Sequence, residues 1–173
     1  MGMIQAPNQT PLERLDQWIL TYEKDLLRIC CLYLRDWHAA EDAVQETFLK
    51  AYKQMDSFRG ESHVKTWLTQ IALNQCRDMR RSAWYRFIDR RVSIDDLPLA
   101  SPPPSADHLA LHTAIMKLKP RYLEVVLLYY YEGYRMNEIA QMLRITEAAV
   151  STRIRKAKQK LKLDLEGGND HEE

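Results

Sequence analysis

Apolar residues recur along most of this chain at alternating steps of three and four positions, the spacing of one face of an α-helix. The first stripe comprises Leu15, Ile19, Tyr22, Leu26, Ile29 and Tyr33. Before it stands Thr10-Pro11-Leu12-Glu13, a capping-box sequence with proline in the first turn, which predicts that the first helix begins there. No segment alternates between apolar and polar residues as a strand does. The pattern therefore predicts an all-α fold.

Two further helices are predicted in the first half of the chain. The second runs from about His38 to Met55, and its predicted buried positions are Ala40, Val44, Phe48, Ala51 and Met55. A polar loop from Asp56 to Glu61 follows, and Ser62 is the predicted N-cap of the third helix. The predicted inner face of the third helix is Leu68, Ile71, Ala72, Cys76 and Met79.

A proline-rich stretch then interrupts the helical pattern. Val92 to Asp107 contains Asp95, Asp96, Pro98 and the triplet Pro102-Pro103-Pro104, a composition that breaks helices and favours extended chain. When stretched, such a segment spans up to ~50 Å. The sequence therefore predicts two small helical domains joined by a flexible linker.

Helical patterning resumes after this linker, from Leu109 to Met116. Pro120 opens another predicted helix, Arg121 to Tyr131, which Gly133 ends. Tyr129, Tyr130 and Tyr131 are consecutive, so on a helix they point about 100° apart and cannot form one stacking platform. At least one of the three is expected in the core, and the others against the partner helix.

The segment from Gly133 to Leu163 resembles a helix-turn-helix. A short helix, Met136 to Leu143, is predicted with Ile139, Ala140 and Leu143 inward, followed by a turn at Arg144-Ile145 and by Thr146 as N-cap. The last helix buries Val150, Ile154, Ala157 and Leu161 and exposes Ala148, Ser151, Thr152, Arg155 and Lys158. Short polar residues followed by cations suit a recognition helix, which meets base edges early and phosphates later. A helical hairpin without a DNA role would show the same apolar pattern.

Composition narrows the class of protein. With 173 residues, 46% hydrophobic and 28% charged, the chain is typical of a soluble globular protein. It has no apolar run of the roughly 20 residues that a membrane span needs, and Met1 to Thr10 has no features of an export signal. Cys30, Cys31 and Cys76 are odd in number and form no C-x-x-C pair, which argues against a disulfide framework or a zinc knuckle. We therefore expect a cytoplasmic protein.

Charge is unevenly distributed although the formal net charge is only +1. From Glu13 to Glu61 there are ten acidic and seven basic residues; from Ser62 to Arg91, two acidic and seven basic; from Val150 to Leu163, six basic and none acidic. Two separate basic patches fit two contacts with a phosphate backbone. Either patch alone is also compatible with an ordinary solvated helix face.

Two strings of residues carry a family resemblance. They are D-A-V-Q-E-T-F at Asp42–Phe48 and W-L-x-x-I-A-x-N at Trp67–Asn74. In their order and separation they closely resemble the core of an extracytoplasmic-function (ECF) sigma factor, a promoter-specificity subunit of bacterial RNA polymerase. The resemblance covers the chain apart from a few terminal residues.

The resemblance implies a two-domain organisation and a function. Residues 1–91 would be sigma region 2, 92–107 the linker, 108–166 sigma region 4 and 167–173 an acidic tail. Such a protein binds core RNA polymerase through the β′ clamp and the β flap, recognises the −10 and −35 elements of promoter DNA, and initiates transcription of a specific regulon. An anti-sigma factor that holds it at the membrane is an expected further partner. No cofactor, metal or small-molecule substrate is implied.

The resemblance also assigns residues to three surfaces. The second helix would dock on the β′ clamp through Asp42, Gln45, Glu46 and Leu49. The third helix and the loop before it would read the −10 element through Asp56, Ser57, Phe58, Arg59, Trp67, Gln70, Asn74, Arg77, Arg80 and Arg81. The last helix would read the −35 element through Thr146, Glu147, Ala148, Ser151, Thr152, Arg153, Arg155, Lys156 and Lys158. In this family a glycine usually stands at position 144, so the turn with Arg144 either avoids a positive φ or accepts a small strain.

Several assignments have alternatives. The carboxylates of the second helix could form an ordinary solvated surface, and Trp67 could brace the core or present its ring edge near a melted strand. Gln70, Asn74, Arg77 and Arg81 are spaced by four, three and four positions and should share one face. His108 and His112 have the i, i+4 spacing of metal ligands, but no third ligand is evident nearby and no metal site is predicted.

Three other functions fit the sequence less well. A helix-turn-helix regulator would explain only the second half, and an anti-sigma or other protein-binding module would leave both basic patches unused. An enzyme is the weakest alternative, because the chain has only five glycines, no phosphate-binding loop and no H-E-x-x-H motif.

Overall fold

The structure is a computed structural model that describes residues 9–58, 63–82 and 106–167. The chain divides into two compact units, Met1–Pro98 and Leu99–Glu173. Throughout the described ranges the regular elements are helices, with no strand, as the apolar pattern predicts. None of these helices has both the length and the apolar character needed to span a bilayer.

The described part of the first unit holds three α-helices and a short 3₁₀ turn. They are α1 (Pro11–Leu34), α2 (Trp37–Lys53), the 3₁₀ turn (Met55–Ser57) and α3 (Val64–Arg81). Each α-helix packs against the other two. The core of this unit therefore lies between the three helices.

Helix α1 starts at the predicted capping box. The Thr10 hydroxyl accepts a hydrogen bond from the Glu13 backbone N–H at 3.2 Å, and the Glu13 carboxylate accepts one from the Thr10 N–H at 2.8 Å. Hydrogen bonding to the Glu13 carboxylate, from the Thr10 backbone N–H first and from the Thr10 side chain second, lowers the pKa of this carboxyl because it favours the charged form. The helix ends at Arg35, whose left-handed backbone (φ 59°) directs its N–H to the Cys31 carbonyl.

The buried surface of α1 is wider than the predicted stripe. Leu26, Ile29 and Tyr33 are buried as expected, whereas Leu15, Ile19 and Tyr22 are half-buried. Trp18 and every residue from Ile29 to Leu34 are also buried. A helix packed by two others must bury more than one stripe, which is why the single-face prediction was too narrow.

Helices α2 and α3 follow the predicted pattern with small shifts. All five predicted core positions from Ala40 to Met55 are buried. In α3, Leu68, Ala72 and Cys76 are buried, Ile71 and Met79 are half-buried, and Leu73 is an additional buried residue. His63 occupies the N-cap position of α3, and the predicted N-cap, Ser62, lies outside the described residues.

Polar contacts tie the helices of this unit together. Asp25 of α1 pairs with Lys65 of α3 at 2.9 Å, and Lys50 of α2 donates to the side-chain oxygen of Gln75 in α3. The Asp25–Lys65 ion pair is exposed enough to contribute little to stability on its own. Its value here is that it fixes the start of α3 beside the middle of α1.

The second unit contains four α-helices and one π-helical segment. They are α4 (Ala106–Lys117), α5 (Pro120–Val126), the π-helical segment (Leu127–Tyr131), α6 (Met136–Leu143) and α7 (Glu147–Gly167). Helix α7 packs against α4, α5 and α6. The predicted linker lies outside the described residues except for positions 106 and 107, which already belong to α4.

The predicted helix from Arg121 to Tyr131 is present but widens in its last turn. Every residue from Tyr122 to Leu128 is buried, and the Glu132 N–H bonds to the Leu127 carbonyl at 3.0 Å, which is the i→i+5 bond of a π turn. Gly133, at φ 72°, follows the end of this element as predicted.

The prediction that one of the three consecutive tyrosines is in the core is wrong. Tyr129 is half-buried, and Tyr130 and Tyr131 retain 49% and 37% of their surface exposed. Leu128 is the last buried residue of the element, and the π turn carries the tyrosines past the end of the core. The rings of Tyr129 and Tyr130 meet edge to face, with centroids 4.9 Å apart.

Candidate protein and nucleic-acid interfaces

One exposed face of α2 carries the residues expected to meet a protein partner. Asp42, Gln45, Glu46 and Leu49 are all exposed, and their spacing of three, one and three positions puts them on one side of the helix. Leu49 keeps 50% of its surface in solvent. Two carboxylates beside an exposed apolar group suit a partner surface that is basic and partly apolar.

Tyr52 extends this face and was missed from the sequence. It is 43% exposed and lies three positions after Leu49. The sequence spacing could have identified Tyr52, because positions 42, 45, 49 and 52 are separated by three, four and three residues and so lie on one helix face. The aromatic ring adds apolar area next to Leu49.

The exposed face of α3 brings an amide and several cations together. Asn74 and Arg81 are exposed and Gln70 and Arg77 are half-buried, in the predicted shared arrangement. The Arg77 guanidinium donates from Nη1 to Oδ1 of Asn74 at 2.9 Å. An amide and a guanidinium can contact a base edge and a phosphate respectively.

Arg80 lies apart from these residues. Its Nη1 donates to the Tyr33 backbone carbonyl of α1 at 3.2 Å, and its guanidinium lies 5.5 Å from the centre of the Tyr33 ring. One of the predicted −10 residues is therefore engaged in holding α3 to α1.

Three aromatic rings from three elements meet beside the start of α3. Phe58 and Trp67 lie 4.8 Å apart at 30°, and Trp18 of α1 contacts both edge-on, at 6.2 and 5.8 Å. Trp18 is buried, whereas Phe58 and Trp67 are half-buried. Trp67 thus packs within the unit, in line with the first of its two predicted alternatives, and is half-buried. Its position near a melted strand stays a prediction.

The remaining residues of the predicted −10 loop are partly described. Asp56 is exposed in the 3₁₀ turn, and Ser57 ends that turn. The Phe58 N–H bonds to the Met55 carbonyl at 3.1 Å, which fixes the backbone where Phe58 enters the aromatic cluster. Arg59 lies outside the described residues.

The helix-turn-helix of the second unit is built by α6, a tight turn and α7. Arg144 adopts a left-handed backbone, φ 54° and ψ 48°, so the turn keeps the geometry of a glycine turn and accepts the strain of a side chain. The Ile145 N–H bonds to the Ala140 carbonyl at 3.0 Å. The Thr146 hydroxyl accepts from the Ala149 N–H at 3.1 Å, so Thr146 is the predicted cap of α7.

Helix α7 separates a buried face from a polar and basic face. Val150, Ile154 and Ala157 are buried and Leu161 is half-buried. Of the predicted −35 residues, Arg153 is half-buried, and the exposed ones are Thr146, Glu147, Ala148, Ser151, Thr152, Arg155, Lys156 and Lys158. The short side chains precede the cations along the helix, as a recognition helix requires.

Tyrosines flank the basic part of α7. The Lys158 ammonium lies 5.7 Å from the centre of the Tyr130 ring, and the hydrogen bond with Tyr130 raises the pKa of Lys158. Lys160 lies 6.0 Å from the Tyr122 ring, which Arg121 also covers at 4.7 Å. These tyrosines were not among the predicted site residues, because the sequence does not reveal which helix faces them.

The other candidate ligands of the sequence do not form a metal centre. Among residues 9–58, 63–82 and 106–167, no three His, Cys, Asp or Glu side chains are grouped so that they could hold a metal ion. All three cysteines are buried free thiols. His112 is buried with both ring nitrogens lacking a hydrogen-bond partner, and this burial lowers its pKa.

Comparison with known families matches both units. Sigma-70 region 2 matches residues 18–86, which include the acidic face, the aromatic cluster and the Asn74–Arg77 pair. Sigma-70 region 4 matches residues 108–161, which include the helix-turn-helix. These two regions together define the class as a sigma subunit of RNA polymerase.

Individual relatives narrow the class. ECF RNA polymerase sigma factor SigM of Bacillus subtilis is 31% identical over 166 residues, covering 90% of this chain and 98% of the relative. SigW of the same organism is 30% identical over 158 residues, covering 83% and 84%. The chain therefore belongs to the family of ECF RNA polymerase sigma factors, which are transcription initiation factors. The solved structure of CnrH in complex with the cytosolic domain of CnrY has a TM-score of 0.70 at 26% identity and covers 90% of each chain.

Proposed function

We propose that this sigma factor binds core RNA polymerase through α2, opens promoters by binding the −10 element with α3, and reads the −35 element with α7. The observation that carries the proposal is the separation of three exposed surfaces on three helices. The acidic and apolar surface is on α2, the amide and arginine surface on α3, and the short polar and basic surface on α7.

The α2 surface is suited to a basic protein partner. Asp42, Gln45, Glu46 and Leu49 would dock on the β′ clamp, with the carboxylates steering the encounter and Leu49 supplying apolar contact. Residues 1–91 would then act as the domain that contacts both the polymerase and the −10 element. The second domain, residues 108–166, would also contact the β flap.

The α3 surface is suited to a melted strand. Unstacking a base costs a few kcal/mol, which stacking and edge contacts must recover. Asn74 and Gln70 would contact base edges, Arg77 and Arg81 the backbone, and Phe58 and Trp67 would offer a ring surface. Asp56, Ser57 and Arg59 belong to the same proposed surface, and Arg80 would support it through its contact with Tyr33.

The α7 surface is suited to the major groove. Its proposed base-reading residues lie in the first two turns, from Thr146 to Thr152. The proposed phosphate contacts are Arg153, Arg155, Lys156 and Lys158, and such contacts carry most of the salt dependence of DNA binding.

A regulatory partner is part of the proposal. The structural relative CnrH is described in complex with the cytosolic domain of CnrY. We infer an anti-sigma factor for this chain as well, one that covers its polymerase-binding surfaces in the cytoplasm and holds it at the membrane.

Reconstitution with bacterial core RNA polymerase tests the function. The holoenzyme should transcribe fragmented genomic DNA of the source organism from discrete start sites that share a two-part upstream motif. That result would also supply the promoter sequence. If the chain does not associate with core polymerase but still binds DNA, it acts instead as a stand-alone helix-turn-helix regulator and the proposal is wrong.

A further inference from the structure

We propose that Trp18 of α1 is a positioning residue for −10 recognition, because it holds Phe58 and Trp67 in the orientation in which they meet the melted strand. This inference rests on the proposed function. It adds a residue from a helix that carries none of the predicted DNA contacts.

The geometry of the cluster distinguishes Trp18 from its two neighbours. Phe58 and Trp67 are nearly face to face, 4.8 Å apart and tilted by 30°, and both are half-buried. Trp18 stands almost perpendicular to both, at 81° to Phe58 and 76° to Trp67, and is only 6% exposed. The buried ring of Trp18 therefore contacts two aromatic residues that are each only half-buried.

The position of Trp18 along α1 indicates that this cluster accounts for its burial. The next buried residue of α1 is Leu26, two turns further on. Of the apolar residues between them, Ile19 and Tyr22 are half-buried and Leu20 is exposed. Trp18 thus lies apart from the buried run that forms the main core. Its described ring contacts are with the segment that enters the −10 loop and with the first turn of α3.

The physical role follows from the cost of ordering aromatic side chains on binding. Base stacking needs a ring at a defined angle, and a ring that must be immobilised during binding loses affinity. Edge-to-face contacts restrict the rotation of the rings they touch. Because Trp18 makes such contacts with both rings, it would preorganise the pair before a base arrives.

Two variants separate this role from simple packing. Trp18→Leu keeps an apolar side chain but removes both ring contacts, whereas Trp18→Phe keeps an aromatic ring. Ile29→Val in the main core of α1 is the control for a general loss of stability, because Ile29 is buried and belongs to a different part of the helix. Each variant is assembled with core polymerase.

The measurement is binding of the holoenzyme to a fluorescent single-stranded oligonucleotide that carries the −10 sequence found by genomic transcription. We expect Trp18→Leu to weaken this binding roughly fivefold to tenfold, the value of one or two aromatic contacts, with unchanged affinity for core polymerase. Trp18→Phe should restore most of the binding, and Ile29→Val should bind like the wild type.

The outcomes are distinct. Wild-type binding by Trp18→Leu overturns the inference, and so does an equal loss in Ile29→Val, since that would trace the effect to stability. A wild-type holoenzyme that opens its promoters but shows no affinity for the oligonucleotide also overturns it, while leaving the sigma function standing. A wild-type chain that fails to join core polymerase overturns the proposed function itself.

Discussion

Arg77 and Asn74 form a hydrogen-bonded pair across one turn of α3, with the guanidinium Nη1 2.9 Å from the amide Oδ1. The amide oxygen is thereby engaged by a cation of the same helix. The two N–H donors of the amide are then the groups with which Asn74 can meet an acceptor on a base. The pair also holds the arginine beside the amide, where in the proposed complex it would anchor a neighbouring phosphate.

Asn74→Ala should reduce promoter opening about tenfold or more while core-polymerase binding stays near the wild-type value, because one base-edge contact contributes about 1–3 kcal/mol. Asn74→Asp is the sharper variant, since it keeps an acceptor for Arg77 but loses both donors. We expect it to open promoters no better than Asn74→Ala in a permanganate footprint. Opening at the wild-type rate by Asn74→Asp would show that the donors are not used.

Removing the carboxylates of α2 should have the opposite effect. Asp42→Ala combined with Glu46→Ala should weaken core-polymerase binding, mainly through slower association that depends less on salt, because exposed interface charges act largely on the encounter. Promoter opening should return to the wild-type level when the variant is added at a concentration that saturates core polymerase. The matched control is Asp16→Ala with Glu23→Ala, which removes the same charge from exposed positions of α1. An equal loss in the control would mean that only net charge matters.

Arg144→Gly should stabilise the second unit. Arg144 is exposed and has φ 54°, so glycine would relieve the left-handed strain of a side chain by about 1 kcal/mol, less a part lost to the greater freedom of the unfolded chain. All four tryptophans precede residue 85. The midpoint of urea unfolding measured by circular dichroism should therefore rise. The midpoint measured by tryptophan emission should stay the same. Unchanged unfolding by both probes would show that the turn is unstrained.

His112 should make the second unit sensitive to acid. Burial lowers its pKa in the folded state below the ordinary value of 6.5, so the unfolded chain binds the proton first as pH falls. Stability contributed by the neutral ring is fully present above pH 6.5 and is lost progressively as pH falls from there to the folded-state pKa.

His112→Leu tests this linkage. Its free energy of unfolding in urea should change less between pH 7.5 and 5.5 than that of the wild type. His38→Gln, which replaces an exposed histidine of the first unit, is the control and should retain the wild-type dependence. Identical pH dependence in His112→Leu and the wild type would contradict the prediction.

Local sequence signals predicted the parts of the fold that depend on local contacts. The Thr10 capping box, the Thr146 cap and the two-sided character of α7 each arise from residues within one or two turns of each other. Spacing alone also predicted that Asn74 and Arg77 share a face. Capping residues and helical spacing were enough for these features because each concerns one helix at a time.

Contacts between elements were harder to predict. Trp18 was missed because its burial requires Phe58 and Trp67, which are 40 and 49 positions away. The π turn at Leu127–Tyr131 was missed because its residues have no pattern that differs from an ordinary helix. Because of this turn, none of the three tyrosines is buried, although one was expected in the core. Arg80 was grouped with the other arginines because sequence alone does not reveal the Tyr33 carbonyl beside it.

The Arg80–Tyr33 contact has a consequence for the electrostatics of the three-helix unit. Two contacts show the relative direction of α1 and α3. Asp25 of α1 meets Lys65 of α3, and further along both helices Tyr33 meets Arg80. The two helices therefore run in the same direction. Peptide dipoles add along each helix and leave partial negative charge at its C-terminus, so parallel neighbours bring two like ends together. Arg80 lies in the last turn of α3 and bonds to a carbonyl in the last turn of α1. The Arg80 guanidinium thereby places positive charge at the adjoining C-terminal ends of α1 and α3, where it offsets the repulsion between their partial negative charges.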